Sequence, residues 1–228
     1  MSALDTHATD FAPHHAHADH AAHASPTAAA TAPAAGVWPD STLWRWQTAA
    51  PAERVLGVVL CAMLTAACAQ ISVPMPGSPV PVTLQTFAVI LSGLVLGPAL
   101  GASSMVLYVL AGLVGLPVFA GADGGLRVAL GATGGYLLGF VAASAVAGLI
   151  VRRARERGRA ALHAAILAAV VGNVIVFACG LPWLKVVVAS DWATTLSMGL
   201  WPYLVGTLVK VPMSVAAAVG LGVVSRVR

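Results

Sequence analysis

Between about Arg54 and Val224 the chain consists of six long apolar segments, and no other feature restricts its fold as tightly. They run from about Arg54 to Ile71, Val82 to Gly97, Leu100 to Val118, Val128 to Val151, Ala160 to Leu181 and Tyr203 to Val224. A helix crossing a hydrocarbon core about 30 Å thick needs roughly 20 such residues. The segments are continuously apolar and do not alternate, which selects helices over barrel strands. Only 9% of the residues are charged, against about 25% in a soluble domain, so a water-facing globule of this size would lack solvated surface. The sequence predicts an all-α integral membrane protein, with a bundle of six transmembrane helices over residues 47–228. Gly97-Pro98 between the second and third segments reads as a tight reversal. No internal repeat supports an inverted-repeat transporter.

Charge orients the bundle. Arg152, Arg153, Arg155, Arg157 and Arg159 crowd one connection, and a basic loop between apolar spans marks the cytoplasmic face. Six alternating spans then place both termini in the cytoplasm, with Arg45, Arg54, Arg226 and Arg228 inside. The outer connections carry Asp123, Arg127, Lys185 and Asp191, with no positive excess. Trp38, Trp44 and Trp46 fall on the inner side and Trp183, Trp192 and Trp201 on the outer, an aromatic belt at each interface. The expected location is the cytoplasmic membrane, multi-pass, with the lipid bilayer as solvent. A net charge of +4 spread in this way does not form a nucleic-acid surface.

Residues 1–46 are different in kind: rich in Ala, His and Pro, poor in large aliphatic side chains, and lacking the h-region of a secretory signal. They cannot bury enough apolar area to offset chain entropy and are expected to form a disordered cytoplasmic tail. Six of the seven histidines lie there, and His14, His15 and His17 offer at most weak, incidental metal affinity. Cys61, Cys68 and Cys179 sit in apolar runs without metal-ligand spacing and read as packing residues.

The outer connections, 72–81, Pro117 to Arg127 and Leu181 to Pro202, are long and rich in Pro and Gly. Such loops serve as lids or binding loops, and three on one face suggest a pocket opening outward. Lys210 lies inside the sixth span, where a charge costs about 2.5–3.5 kcal/mol on insertion scales. A ligand carboxylate would offset that cost; snorkelling toward the interface is the alternative. Asn173, midway along the fifth span, suits an amide or ureido partner, or a bond across helices. In the run Gly131–Tyr136, Gly134 and Gly135 permit close backbone approach by a ligand, and Tyr136 adds an aromatic face with a hydroxyl. Gly93 with Gly97, Gly135 with Gly139 and Ala62 with Ala66 form small-xxx-small pairs that let helices approach. No phosphate loop, H-E-x-x-H or G-x-S-x-G is present. The chain therefore reads as no enzyme, needs no cofactor, and has no nucleotide site with which to couple itself to ATP.

Several runs resemble one family. Ala69-Gln-Ile-Ser-Val-Pro74 and Pro79-Val-Pro-Val-Thr-Leu-Gln-Thr-Phe87 are similar to the first outer loop of BioY proteins. So are Gly115-Leu-Pro-Val-Phe119, the stretch Gly131–Phe140 and Gly180-Leu-Pro-Trp-Leu184, and the resemblance covers about Arg54 to Val224. It implies a biotin-capturing S-component of an energy-coupling-factor transporter, built as a six-helix bundle. It implies a biotin site open to the outside, lined by the first outer loop and the outer halves of spans four to six. It also implies that Ala62 and Ala66 dock a transmembrane coupling protein seated on two ATPase subunits. Lys210, Asn173, Tyr136, Gln85, Thr83, Thr207 and Asp123 are the expected substrate-binding residues. In the run Gly206-Thr-Leu-Val-Lys210, Thr207 stands where the family usually carries an acidic residue, so the lysine lacks that electrostatic partner. Two other readings stand beside this one. A carrier of biotin or another small carboxylate, working alone or as a homo-oligomer, needs the same bundle. A substrate-free membrane scaffold would use the small-residue faces but leave Lys210 without a role.

Overall fold

A computed structural model describes Trp46 and residues 49–224. The expected tail, with His14, His15 and His17, therefore lies outside the described residues apart from Trp46. Along the chain come α1 (Pro51–Gln70), the strands β1 (Ser72–Val73) and β2 (Val82–Thr83), and α2 (Gln85–Leu113). Then follow α3 (Leu126–Ala129), α4 (Gly134–Glu156), α5 (Ala161–Val188), α6 (Trp192–Gly199) and α7 (Trp201–Gly220). Among the described residues, five stretches are long and apolar enough to cross a membrane: α1, α2, α4, α5, and Trp192–Gly220 taken together. The expected all-helical character holds except for the ribbon, in which Ser72 pairs with Thr83 and Val73 with Val82, closing the first connection into a hairpin.

The long α2 reverses within itself. Gly97 has φ 79° and ψ −177°, a backbone that only glycine adopts without strain, and Pro98 blocks continuation of the first arm. The arms then fold against each other so closely that a methyl on Gly101 would stand 3.0 Å from Gly93 Cα. At their far ends Gln85 hydrogen-bonds Tyr108, 23 residues away in sequence. The tight reversal expected at Gly97-Pro98 is present.

Small residues bring α4 into the centre. A methyl on Gly148 would meet the Gly97 and Pro98 backbone at 2.5 Å, and one on Gly139 would meet Val176 Cα of α5 at 3.0 Å. Ser92 and Ser144 hydroxyls bond across the α2–α4 contact at 2.8 Å, satisfying two polar groups that lipid could not. By contrast α1 turns Leu56, Leu60 and Met63 outward, the lipid-facing surface expected of a peripheral span.

Several boundaries depart from expectation: the third span ends at Leu113, before Val118, and the fourth begins at Gly134, after Val128. The fifth span does not end at Leu181 but runs through Pro182 to Val188. Proline removes one helical donor and does not by itself end a membrane helix when neighbours hold the next turn. Here the Trp183 indole N–H bonds Gly131 O at 2.9 Å and anchors that turn. The connection to the last span is consequently shorter than expected and is itself helical. Asp191 caps α6, accepting from Thr194 N at 3.2 Å, and its hydrogen bonds to Thr194, side chain and backbone, hold its carboxyl below the ordinary carboxylate range.

Candidate functional site

A cavity of about 380 Å³ lies between the first connection, the start of α2, the 117–133 region, α4, α5 and α7. That size falls within the roughly 300–1,000 Å³ typical of small-molecule sites. Its cap is Pro79-Val80-Pro81, held down by the Tyr203 hydroxyl of α7. Tyr203 Oη donates to Val80 O and lies 3.1 Å from Ser78 Oγ. Two prolines stiffen the cap, and the β1–β2 ribbon ties its ends.

Aromatic rings form one wall. Tyr136 meets Phe177 edge-on, with centroids 6.4 Å apart and planes at 86°, and Phe177 meets Tyr203 at 6.5 Å and 62°. Such edge-to-face stacks fix ring orientation and leave faces for a flat or bicyclic ligand. Tyr136 Oη is engaged by Gly199 O at 3.0 Å, so this residue offers the cavity chiefly its ring.

The opposite wall is polar and ordered by a relay. Thr83 Oγ1 donates to Gln85 Oε1 at 2.8 Å, Gln85 Nε2 donates to Tyr108 Oη, and Tyr108 Oη donates to Val118 O at 3.2 Å. Both ends of the Gln85 carboxamide are thereby fixed, which leaves one N–H and one lone pair for a ligand. Nearby, Thr86 Oγ1 is buried without a hydrogen-bond partner among the described residues while its residue lines the cavity. Buried hydroxyls are normally satisfied.

Lys210 enters from α7. It is 8% exposed and has no hydrogen-bond or ion-pair partner among the described residues. A methyl on Gly206 would stand 3.6 Å from both Lys210 Nζ and Val82 Cγ1, so the stem turns back along α7 toward the capping ribbon. Thr207 Oγ1 donates to Tyr203 O at 3.0 Å and so brings no charge to the lysine. At the mouth Asp123 and Arg127, both lining residues, pair at 3.5 Å.

Six of the expected substrate-binding residues therefore share one cavity: Lys210, Tyr136, Gln85, Thr83, Thr207 and Asp123. Asn173 is the exception. It is 4% exposed, outside the cavity lining, and Nδ2 donates to Ala169 O of its own helix at 2.9 Å. The α5 residues at the cavity are Val176 and Phe177, one turn on. At Gly134 a methyl would stand 2.0 Å from Ala129 O and 2.9 Å from Trp183 Nε1, and at Gly135 one would stand 2.3 Å from Trp183 Cβ, so both glycines make room for the neighbouring indole. Ala62 is 7% exposed within the chain's own core, and Ala66 packs against that core. Ala66 stays partly exposed on a helix whose Leu60, Met63 and Leu64 are also exposed. The weak metal reading for His14, His15 and His17 falls outside the described residues, among which no cluster of metal-ligating side chains occurs. Sequence reasoning missed Val80, Thr86, Phe119, Phe140, Phe177 and Tyr203. Thr86 was legible, since it adjoins Gln85, and so was Tyr203, whose hydroxyl is as conspicuous as that of Tyr136; Phe140 and Phe177 are apolar residues in apolar runs and carry no separate signal.

Multi-pass helical architecture and a small amphipathic cavity capped by a loop define a membrane protein of the solute-carrier class. Comparison with known proteins narrows this. The BioY family model matches residues 41–227, and the chain belongs to the BioY family. It is 41% identical over 167 residues to the probable biotin transporter BioY of Pyrococcus horikoshii, covering 73% of this chain and 94% of that one. It is 40% identical over 153 residues to the biotin transporter BioY of Thermotoga maritima, covering 67% and 85%. The fold matches a crystal structure of the S-component for biotin from an ECF-type ABC transporter. That match has a TM-score of 0.61 and 22% identity, covering 75% of this chain and 88% of the other.

Proposed function

We propose that this chain captures biotin from the outer side of the cytoplasmic membrane, as the substrate-binding component of an energy-coupling-factor transporter. The observation that carries the reading is the cavity, where one unpartnered buried cation, a fixed carboxamide and an aromatic wall converge. Biotin has a matching set of groups: a carboxylate, a ureido group and a compact, partly apolar bicycle. Lys210 takes the carboxylate, Gln85 and Thr86 meet ureido atoms, and Tyr136, Phe177 and Tyr203 enclose the rings. Thr83 and Thr207 position their neighbours. Asp123 with Arg127 forms the rim. The same ligand is in the names of relatives at about 40% identity.

Orientation follows from α4. Its first turns line the cavity with Tyr136, Leu137 and Phe140, and it ends at Glu156 in the arginine-rich hinge, about 24–30 Å further on at 1.5 Å per residue. A cytoplasmic hinge makes the cavity outward-facing. Counting the two arms of α2 as separate spans gives six helices with both termini inside. With no nucleotide motif of its own, the chain obtains energy from a coupling protein and two ATPase subunits.

The test is biotin binding to the purified, detergent-solubilised chain, with nicotinate and lipoate as competitors. Tight binding that neither competitor displaces is expected. A folded chain that ignores biotin would reject the assignment.

A further inference from the structure

At the end of α4 remote from the cavity is a second pocket of about 280 Å³, between the last turns of α4 and the first turns of α5. Arg153, Arg157, Arg159 and His163 line it, with no acidic side chain among the described lining residues. The single acid of this hinge, Glu156, faces Arg152 instead, at 3.8 Å along the same helix. Cations gathered on one concavity repel each other and raise the local potential, so an anion entering it is favoured. The backbone adds to this. The N-terminus of α5 has no side-chain cap, so the first N–H groups of a 28-residue helix face the hinge with the positive end of its dipole. Guanidinium forks match phosphate oxygens in pairs.

A second observation distinguishes a lipid from a free anion. Continuing from His163 at spacings of three and four residues, Leu167, Val170 and Val174 are 54%, 46% and 61% exposed. Residues so spaced share one helix face. An apolar track therefore descends from the basic pocket along α5 toward mid-membrane. Inorganic phosphate would use only the cations, whereas a phospholipid uses cations and track together.

We propose that the α4–α5 hinge pocket binds the headgroup phosphate of an anionic phospholipid, with an acyl chain laid along α5. Basic pockets between membrane helices on the cytoplasmic side are where such headgroups dock. The site is separate from the substrate cavity and does not depend on the biotin reading.

The test uses the full chain in detergent, titrated with phosphatidylglycerol or phosphatidylcholine and followed by native mass spectrometry and thermal unfolding. Selective retention of phosphatidylglycerol, with a rise in unfolding temperature, is expected. Arg153→Gln with Arg157→Gln should weaken that retention about 30-fold, from the loss of two arginine contacts. Arg152→Gln with Arg155→Gln removes the same charge outside the pocket and should leave retention intact. Both double variants should keep the wild-type unfolding temperature in the absence of added lipid, which certifies their folding. Three results would overturn the proposal: equal retention of both lipids, equal losses in the two double variants, or displacement of the lipid by millimolar inorganic phosphate. The first would show that the pocket does not read lipid charge, and the last would make this a free-anion site.

Discussion

Lys210→Met separates two consequences of one buried charge. Methionine keeps most of the stem's length and removes the cation. In the empty protein Lys210 is 8% exposed and has no recorded polar partner among the described residues. A charge at such depth costs up to about 2.5–3.5 kcal/mol on insertion scales, and a hydrated cavity recovers part of that. Removing it should therefore stabilise the empty state by about 1 kcal/mol or more, or roughly 2–4 °C per kcal/mol for a domain of this size. The ligand-bound state responds the other way. Truncating one partner of a buried charge pair costs about 2–5 kcal/mol, or from about 30-fold to several thousand-fold in Kd. Titration calorimetry and thermal unfolding, each with and without biotin, read both effects. Biotin methyl ester, which has no carboxylate, should bind both proteins alike. A variant affinity for biotin within threefold of wild type would refute the carboxylate assignment. A lower unfolding temperature in the empty variant would refute the premise that the cation lacks a stabilising partner.

Two other perturbations test the cavity's construction. A methyl on Gly112 would fall 2.0 Å from the Phe119 ring, itself buried at the cavity wall, so Gly112→Ala should cost about 1–3 kcal/mol by overpacking and weaken biotin binding, measured by unfolding and calorimetry. Tyr203→Phe removes the hydroxyl that holds Val80 O and Ser78 Oγ, a loss of about 1 kcal/mol; the unfolding temperature should fall by about 2–4 °C and stopped-flow fluorescence should show biotin dissociating about fivefold faster, and an unchanged rate would show that the cap is not held there.

How far sequence led to the site depended on what each side chain costs in a membrane. Polar groups within apolar runs are expensive, so Lys210 and Asn173 stood out, and of these Lys210 lines the cavity; Gln85, which also lines it, was indicated only by the resemblance to BioY proteins. Cost shows that a group must be satisfied; it does not show by what. Asn173 meets part of its demand by bonding back to Ala169 on its own helix, which any amide one turn from a carbonyl is able to do. Likewise the small pairs signal close approach without naming the neighbour. Gly135 was read as space for a ligand, and a methyl there would meet Trp183; of the Ala62 and Ala66 pair, Ala62 packs into the chain's own core while Ala66 is only partly buried.

The same reasoning explains why helix order was legible and some helix ends were not. Arginines at the α4–α5 hinge and the Gly97-Pro98 reversal are local signals, each sufficient alone to mark a turn. The end of α5 is not local. Pro182 and the outer-loop composition argue for termination near Leu181, yet the helix persists to Val188 because the Trp183 indole finds Gly131 O on the neighbouring connection. That bond requires Gly134 and Gly135 to be bare, and it brings the run Gly131–Thr133 to the cavity mouth. The glycines therefore act on the site at one remove. They admit the indole, the indole fixes the connection, and the connection closes the wall around the ring of Tyr136.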